Sequence, residues 1–138
     1  MSLPHQDPAS VTRRFVDVVN ARDPDRILGH TTDDHVFIDS LGFRTIGRGP
    51  LREAWVAYFK MVPDFRISLD QVIEKGEVVV AFGAASGTWV HRPPPRPENR
   101  WSTPAAWRAV VRSGQVAEWR VYADLEPLRA IMRRNAAE

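Results

Sequence analysis

From residue 65 to residue 124 the chain reads with a period of two, broken at only three places. The breaks are Lys75-Gly76, the run RPPPRPENR over 92–100, and Ser113-Gly114. Strands joined by connections this short pair antiparallel. Expected strands therefore cover 65–74, 78–91, 103–112 and 115–124. The proline run cannot pair as a strand, because proline lacks the backbone donor, and is expected as a stiff exposed loop.

Before residue 65 the period is helical. Asp7-Pro8 reads as an N-cap followed by proline in the first turn, and Val11, Phe15, Val18 and Val19 form one apolar stripe. Asp23-Pro24 repeats the signal for a short helix through Ile27 and Leu28. Pro50 opens a third helix with Leu51, Ala54, Trp55, Tyr58, Phe59 and Val62 on one side, stopped by Pro63. Between these helices HVFIDSLG, residues 35–42, is a strand ending in Asp39 before a turn at Gly42. After Asp124 a last helix carries Leu128, Ile131 and Met132. Helices on one face of a mostly antiparallel sheet give an α+β layer architecture. No repeat and no linker divides the 138 residues, so one domain is expected.

The turn at Ser113-Gly114 decides which side chains share a face. A two-residue Ser-Gly loop would pair Arg112 with Gln115. A three-residue loop, with Gly114 left-handed and Val111 paired with Gln115, is the one expected, because it gives consistent faces. It gathers Trp107, Ala109, Val111, Ala117, Trp119, Val121 and Ala123 on an apolar face turned toward the helices. Arg108, Arg112, Glu118, Arg120 and Tyr122, with Val110 and Val116, then share the outer face. A one-residue slip would mix tryptophans with arginines on both sides.

Composition excludes several functions. There is no cysteine, so thiolate metal sites and cysteine nucleophiles are ruled out. Nineteen basic residues face seventeen acidic ones, interspersed along the chain rather than massed on one element, which argues against nucleic-acid binding. No apolar run reaches the ~20 residues of a membrane helix, and residues 1–7 lack a signal-peptide core, so a cytoplasmic protein without membrane contact is expected.

The order of elements resembles the cone-shaped α+β fold of the nuclear transport factor 2-like superfamily, which includes ketosteroid isomerase and the SnoaL-like polyketide cyclases. The resemblance rests on FVDVVNARDPDRI, DDHVFID, IGRGPLREAW, MVPDF and SGQVAEWRVYADLEPL, and covers nearly the whole chain. It implies a strongly curved sheet and three N-terminal helices on its concave face enclosing an apolar cavity. A short C-terminal helix closes the chain. It also implies a homodimer through the outer sheet face.

By resemblance, Asp39 stands where ketosteroid isomerase has its general base. The oxyanion-hole tyrosine is replaced by Phe15, and the protonated aspartic acid by Trp107, or by Ala106 if the register slips. The His and Asp of SnoaL-like cyclases correspond to Trp107 and Val121, and Val121 also replaces an acid of the Asp-Arg-Asp set of limonene epoxide hydrolase. Missing one oxyanion donor commonly costs ~2.7–4 kcal/mol of transition-state stabilisation, which argues against efficient steroid isomerisation.

Asp39 reads in two ways: as an ordinary turn former bonding backbone donors one or two residues on, and as the catalytic base. His35 lies four residues earlier, on the same strand face, roughly 13 Å away along a strand. It is expected either as a substrate-binding group or as a partly exposed histidine at a strand entrance. Trp55, Tyr58, Phe59, Trp107 and Trp119 are expected to line a pocket for a flat or ring-shaped ligand or to fill the core. Phe15 and Val121 complete the expected substrate-binding set. His35, Asp39 and His91 have no metal-ligand spacing, so no metal and no cofactor are expected.

Two functions follow. The first is a small cofactor-independent enzyme that uses Asp39 to remove a proton from an apolar ring-containing carbonyl compound, in isomerisation, cyclisation or dehydration. The second is a non-catalytic module that binds a small apolar ligand in an aromatic pocket or dimerises.

Overall fold

The computed structural model describes residues 7–138, with residues 1–6 outside the described part. The signal-peptide expectation rests on those first residues and lies outside it. Four helices and six strands follow in chain order. Helix α1 spans Pro8–Asn20 and α2 Pro24–Gly29. Strand β1 covers Thr31–Ile38 and β2 Arg44–Ile46, before α3 at Arg48–Met61. Strands β3 (Arg66–Lys75), β4 (Val78–Thr88), β5 (Arg100–Arg112) and β6 (Gln115–Ala123) complete the sheet, and α4 (Glu126–Ala136) ends the chain.

Both Asp-Pro signals act as expected. The Asp7 carboxylate accepts from the Ser10 N–H at 2.7 Å, and Asp23 accepts from the Asp25 and Arg26 N–H groups. Asp124 likewise accepts from the Glu126 N–H as α4 begins. Helix α3 starts two residues before Pro50, which sits in its first turn, where the missing N–H has no intrahelical partner to lose.

The sheet order is β2-β1-β6-β5-β4-β3. All neighbours are antiparallel except β1 and β6, which run parallel with Phe37 opposite Trp119. Helix α1 packs across β3, β4, β5 and β6, while α3 packs on α2, β1 and β2. The expected order of three helices around one strand is found, with the short β2 added between β1 and α3. One apolar cluster, with Phe15, Val19, Ile27, Val79, Trp107 and Trp119 among its members, fills the space between helices and sheet.

The last hairpin corrects the expected turn. Arg112 pairs with Gln115 across a two-residue loop, and Ser113 and Gly114 both have positive φ, +52° and +75°. That is the turn whose twist matches antiparallel strands. Pairing then jumps from Val111–Val116 to Val110–Glu118, leaving Ala117 as an extra residue on β6. Beyond this bulge Trp107 faces Val121 and Ala105 faces Ala123, so the expected apolar face is recovered in a register shifted by two. Val116, expected outside, is buried because the bulge turns both Val116 and Ala117 inward.

Strand β5 also starts earlier than expected, at Arg100, because Arg100–Ser102 pair with Thr88–Ser86. Strand β4 accordingly ends at Thr88, where the Asp64 carboxylate accepts from both its N–H and its hydroxyl at 2.7 Å. Asp64 therefore ties the end of β4. On the outer face Arg108 pairs with Glu118, and the Arg120 guanidinium lies 4.9 Å from the Tyr122 ring centroid.

Candidate functional site

A cavity of about 330 Å³ lies where α3, the end of β1 and the inner face of the sheet meet. Trp107, Trp119 and Val121 reach it from β5 and β6, Trp55 and Tyr58 from α3, and Phe37 from β1. The residue spacings explain the convergence. Trp55 and Tyr58 are three apart on one helix face, Trp107 lies on the inward parity of β5, and the parallel pairing of β1 with β6 sets Phe37 beside Trp119. The aromatic rings also pack on one another: Phe37 meets Trp55 edge-on at 5.7 Å, and Trp107 stacks with Trp119 at 6.2 Å.

Asp39 lines this cavity with Ser40 and Thr45, all three half-buried. Its Oδ1 accepts from the Leu41 N–H at 2.9 Å and the Phe43 N–H at 3.0 Å. Its backbone closes the same turn, donating to the Phe43 carbonyl and accepting from the Gly42 N–H. Oδ2 has no hydrogen-bond partner among the described residues. One oxygen thus anchors the side chain while the other is unengaged.

Tyr58 carries the second polar group of note. Burial pushes its phenol well above the ordinary tyrosine range, so the hydroxyl stays a neutral donor. Ser40 and Thr45 add two hydroxyl-bearing residues to the cavity wall. Among the described residues no group of three His, Asp or Glu side chains converges as a metal site.

Of the nine residues expected at a site, Asp39, Trp55, Tyr58, Trp107, Trp119 and Val121 come together around the cavity. Phe15, His35 and Phe59 do not line it. Phe15 is fully buried behind Trp119, edge-on at 5.0 Å, and Phe59 stacks on Trp55 at 5.5 Å. His35, expected partly exposed, is 1% exposed because the parallel β1–β6 pairing covers it. Its Nδ1 donates to the Val116 carbonyl at 2.7 Å. Desolvation holds this imidazole below the ordinary histidine range, and therefore neutral, against the opposing pull of the Val116 hydrogen bond, Asp34 and Glu118.

Sequence reasoning missed Trp101, Phe65 and Leu125 in the wall. Trp101 was readable: it lies two and four residues before Thr103 and Ala105, on the same strand parity as Trp107. Assigning 92–100 to a proline loop hid the start of the strand that carries it.

The SnoaL-like domain profile matches residues 12–119, most of the chain. Comparison with curated proteins by sequence returns no match. Among solved structures, one described as a SnoaL-like polyketide cyclase from Shewanella denitrificans has a TM-score of 0.78 at 12% identity, covering 96% of this chain and 99% of that one. A protein of ketosteroid isomerase-like fold from Catenulispora acidiphila, in complex with trimethylamine, has a TM-score of 0.75 at 15% identity, covering 87% and 89%. The epoxide hydrolase/cyclase-like enzyme SalBIII of salinomycin pyran-ring formation has a TM-score of 0.76 at 18% identity, covering 90% and 95%. At such identities these neighbours show the fold alone, the α+β fold of the nuclear transport factor 2-like superfamily. Together with the profile match over residues 12–119, they establish that the chain belongs to the SnoaL-like domain family.

Proposed function

We propose that this protein is a cofactor-independent enzyme in which Asp39 removes a proton next to the carbonyl of an apolar, ring-containing compound. The observation that carries the reading is the split role of the Asp39 carboxylate: Oδ1 is held by two backbone donors while Oδ2 is unengaged beside an aromatic cavity. A base fixed in this way loses little orientational freedom when substrate arrives. The C–H proton passes to Oδ2, the electron pair moves into the carbonyl, and the enolate oxygen takes a hydrogen bond from the Tyr58 hydroxyl. Returning the proton to a different carbon completes an isomerisation. Attack of the enolate carbon on a second carbonyl of the same molecule gives cyclisation, the new alkoxide taking the proton back from Asp39. Expulsion of a β-hydroxyl, which leaves as water with that proton, gives dehydration.

Small-molecule occupancy of this fold is supported by the trimethylamine complex of the Catenulispora neighbour and by the polyporic acid co-crystal of TerC. Phe15 and Trp107 in place of oxyanion donors leave Tyr58 as the donor and argue for a modest rate enhancement.

The rival reading is a pocket protein that binds without catalysis, favoured by the absence of a second acid in the wall, where Trp107 and Val121 stand. The two separate in one experiment. Trp fluorescence is titrated with aromatic polyketides and enones, and deuterium exchange is followed at the carbonyl's α-carbon. Exchange that Asp39→Asn abolishes supports the enzyme; binding without exchange, or exchange indifferent to the substitution, leaves the binding module.

We further propose a homodimer through the outer sheet face. There an open groove of about 750 Å³ is lined by Phe82, Tyr122, Gly83 and Pro104, with Phe82 and Tyr122 still 40% and 48% exposed. Sedimentation of the wild type and of Tyr122→Glu tests this, with a monomeric wild type overturning it.

A further inference from the structure

We infer that the carbonyl compound bound in this cavity carries a positively charged amine and no carboxylate. The inference rests on the reading of the cavity as the site of a carbonyl substrate, and adds its charge. Four indoles, from Trp55, Trp101, Trp107 and Trp119, join Tyr58 and Phe37 in the wall. Among the described residues no Lys, Arg or His lines the cavity, and Asp39 is the single carboxylate that does. The Tyr58 phenol adds no charge, since burial keeps it protonated.

Three ligand charges can be weighed against this wall. An anion would face the Asp39 carboxylate with no counter-charge in the wall, a repulsion that grows as the ligand displaces water from the half-buried site. A neutral ketone matches the rings but seals the unengaged Oδ2 of Asp39 away from water without a partner. A cation resolves both. Ring faces attract an ammonium through their quadrupole, most strongly when it is desolvated, and the carboxylate balances its charge.

The charge also suits the chemistry. An ammonium two carbons from the carbonyl makes the intervening C–H more acidic. When Asp39 takes that proton it becomes a neutral acid, and the product is an enolate–ammonium zwitterion, so total charge is conserved. At interior packing density the cavity of about 330 Å³ holds a ligand of roughly 240 Å³, room for a bicyclic or tricyclic compound.

The test compares three ligands of one shape on the wild-type chain by Trp fluorescence and calorimetry. They are tropinone in its protonated form, its permanently charged N-methyl salt, and the bicyclic ketone with a methylene in place of nitrogen. Both cations are expected to bind at least about tenfold tighter than the neutral ketone, about 1.4 kcal/mol. In Asp39→Asn, checked for a native melting curve, the preference shrinks but persists through the rings. Equal or tighter binding of the neutral ketone, or binding of none of the three, overturns the inference. Deuterium exchange at the α-carbon is read in the same samples. A cation preference without exchange supports the charge assignment and removes the general-base role of Asp39.

Discussion

Asn99 and Asn135 hydrogen-bond each other through their side-chain amides, 3.1 Å in each direction, with both residues 2% exposed. The remaining amide protons are used as well: Asn99 donates to the Trp89 carbonyl, and Asn135 donates to the Ile131 carbonyl at 2.7 Å. This pair fixes α4 to the start of β5, beside Trp101. Replacing one partner leaves the other buried amide short of its bonds, so Asn135→Leu and Asn99→Leu are each expected to cost about 1–3 kcal/mol. The double Leu variant is expected to cost less than the two singles added together, because no orphaned amide remains. Urea unfolding of the four proteins measures this, and strict additivity would mean that the pair is not coupled.

His35 predicts a pH dependence. Its neutral form is favoured in the folded chain, chiefly by desolvation, while the unfolded chain binds a proton near the ordinary value of ~6.5. Below that pH the unfolded state holds more protons, so stability falls as pH drops, until the lowered folded value is passed. The slope from this one group is at most about 1.4 kcal/mol per pH unit. His35→Gln, which does not titrate, is expected to show a flatter profile between about pH 6.5 and 5. Melting curves across that window, wild type against variant, decide it; parallel profiles would show that His35 does not titrate on unfolding.

These two features mark where reading from sequence stops. The capping of α1 and α2 was legible because Asp-Pro followed by a helical stripe is local chemistry. The inward parity of Trp107, Trp119 and Val121 was legible because mixing arginines with tryptophans on both faces is energetically excluded. The turn that produces this parity was not, because a two-residue loop plus a bulge at Ala117 yields the same faces as a three-residue loop. Strand β2 has three residues, too few for a period to show. The burial of His35 depends on a parallel pairing between β1 and β6, about eighty residues apart, which no local pattern encodes. Asp39 was legible as an ambiguity: one oxygen makes the ordinary turn, and the other is unengaged at the cavity, where the role of base is our proposal.

Gly83 lies close against the backbone of the neighbouring strand β3. A β-carbon built there would stand 1.8 Å from the Ser68 carbonyl oxygen, where β3 bulges between Leu69 and Gln71. Backbone cannot rotate away as a side chain can, so Gly83→Ala is expected to cost at least about 2 kcal/mol. Gly29, at the end of α2, has nothing within 4 Å of the same position. Gly29→Ala is expected to change stability by no more than about 0.5 kcal/mol, as at an uncrowded surface site. Thermal unfolding of the two variants provides the comparison, and a tolerated Gly83→Ala would show that β3 can shift off its bulge.

The two oxygens of Asp39 allow structure and chemistry to be separated. Asp39→Ala removes the acceptor for the Leu41 and Phe43 N–H groups and should loosen the turn between β1 and β2. Because both donors lie at an exposed turn where water can replace the lost acceptor, the cost is expected at about 1–2 kcal/mol. Asp39→Asn keeps an oxygen at the Oδ1 position and replaces Oδ2 with an amide that accepts no proton. Its stability is therefore expected within about 0.5 kcal/mol of wild type. Any α-proton exchange should nevertheless fall by at least about a hundredfold, the usual contribution of a positioned general base. Stability is read by urea unfolding and exchange by NMR on the same preparations. An Asn variant that is native in stability and unchanged in exchange would leave Asp39 as a turn residue and nothing more.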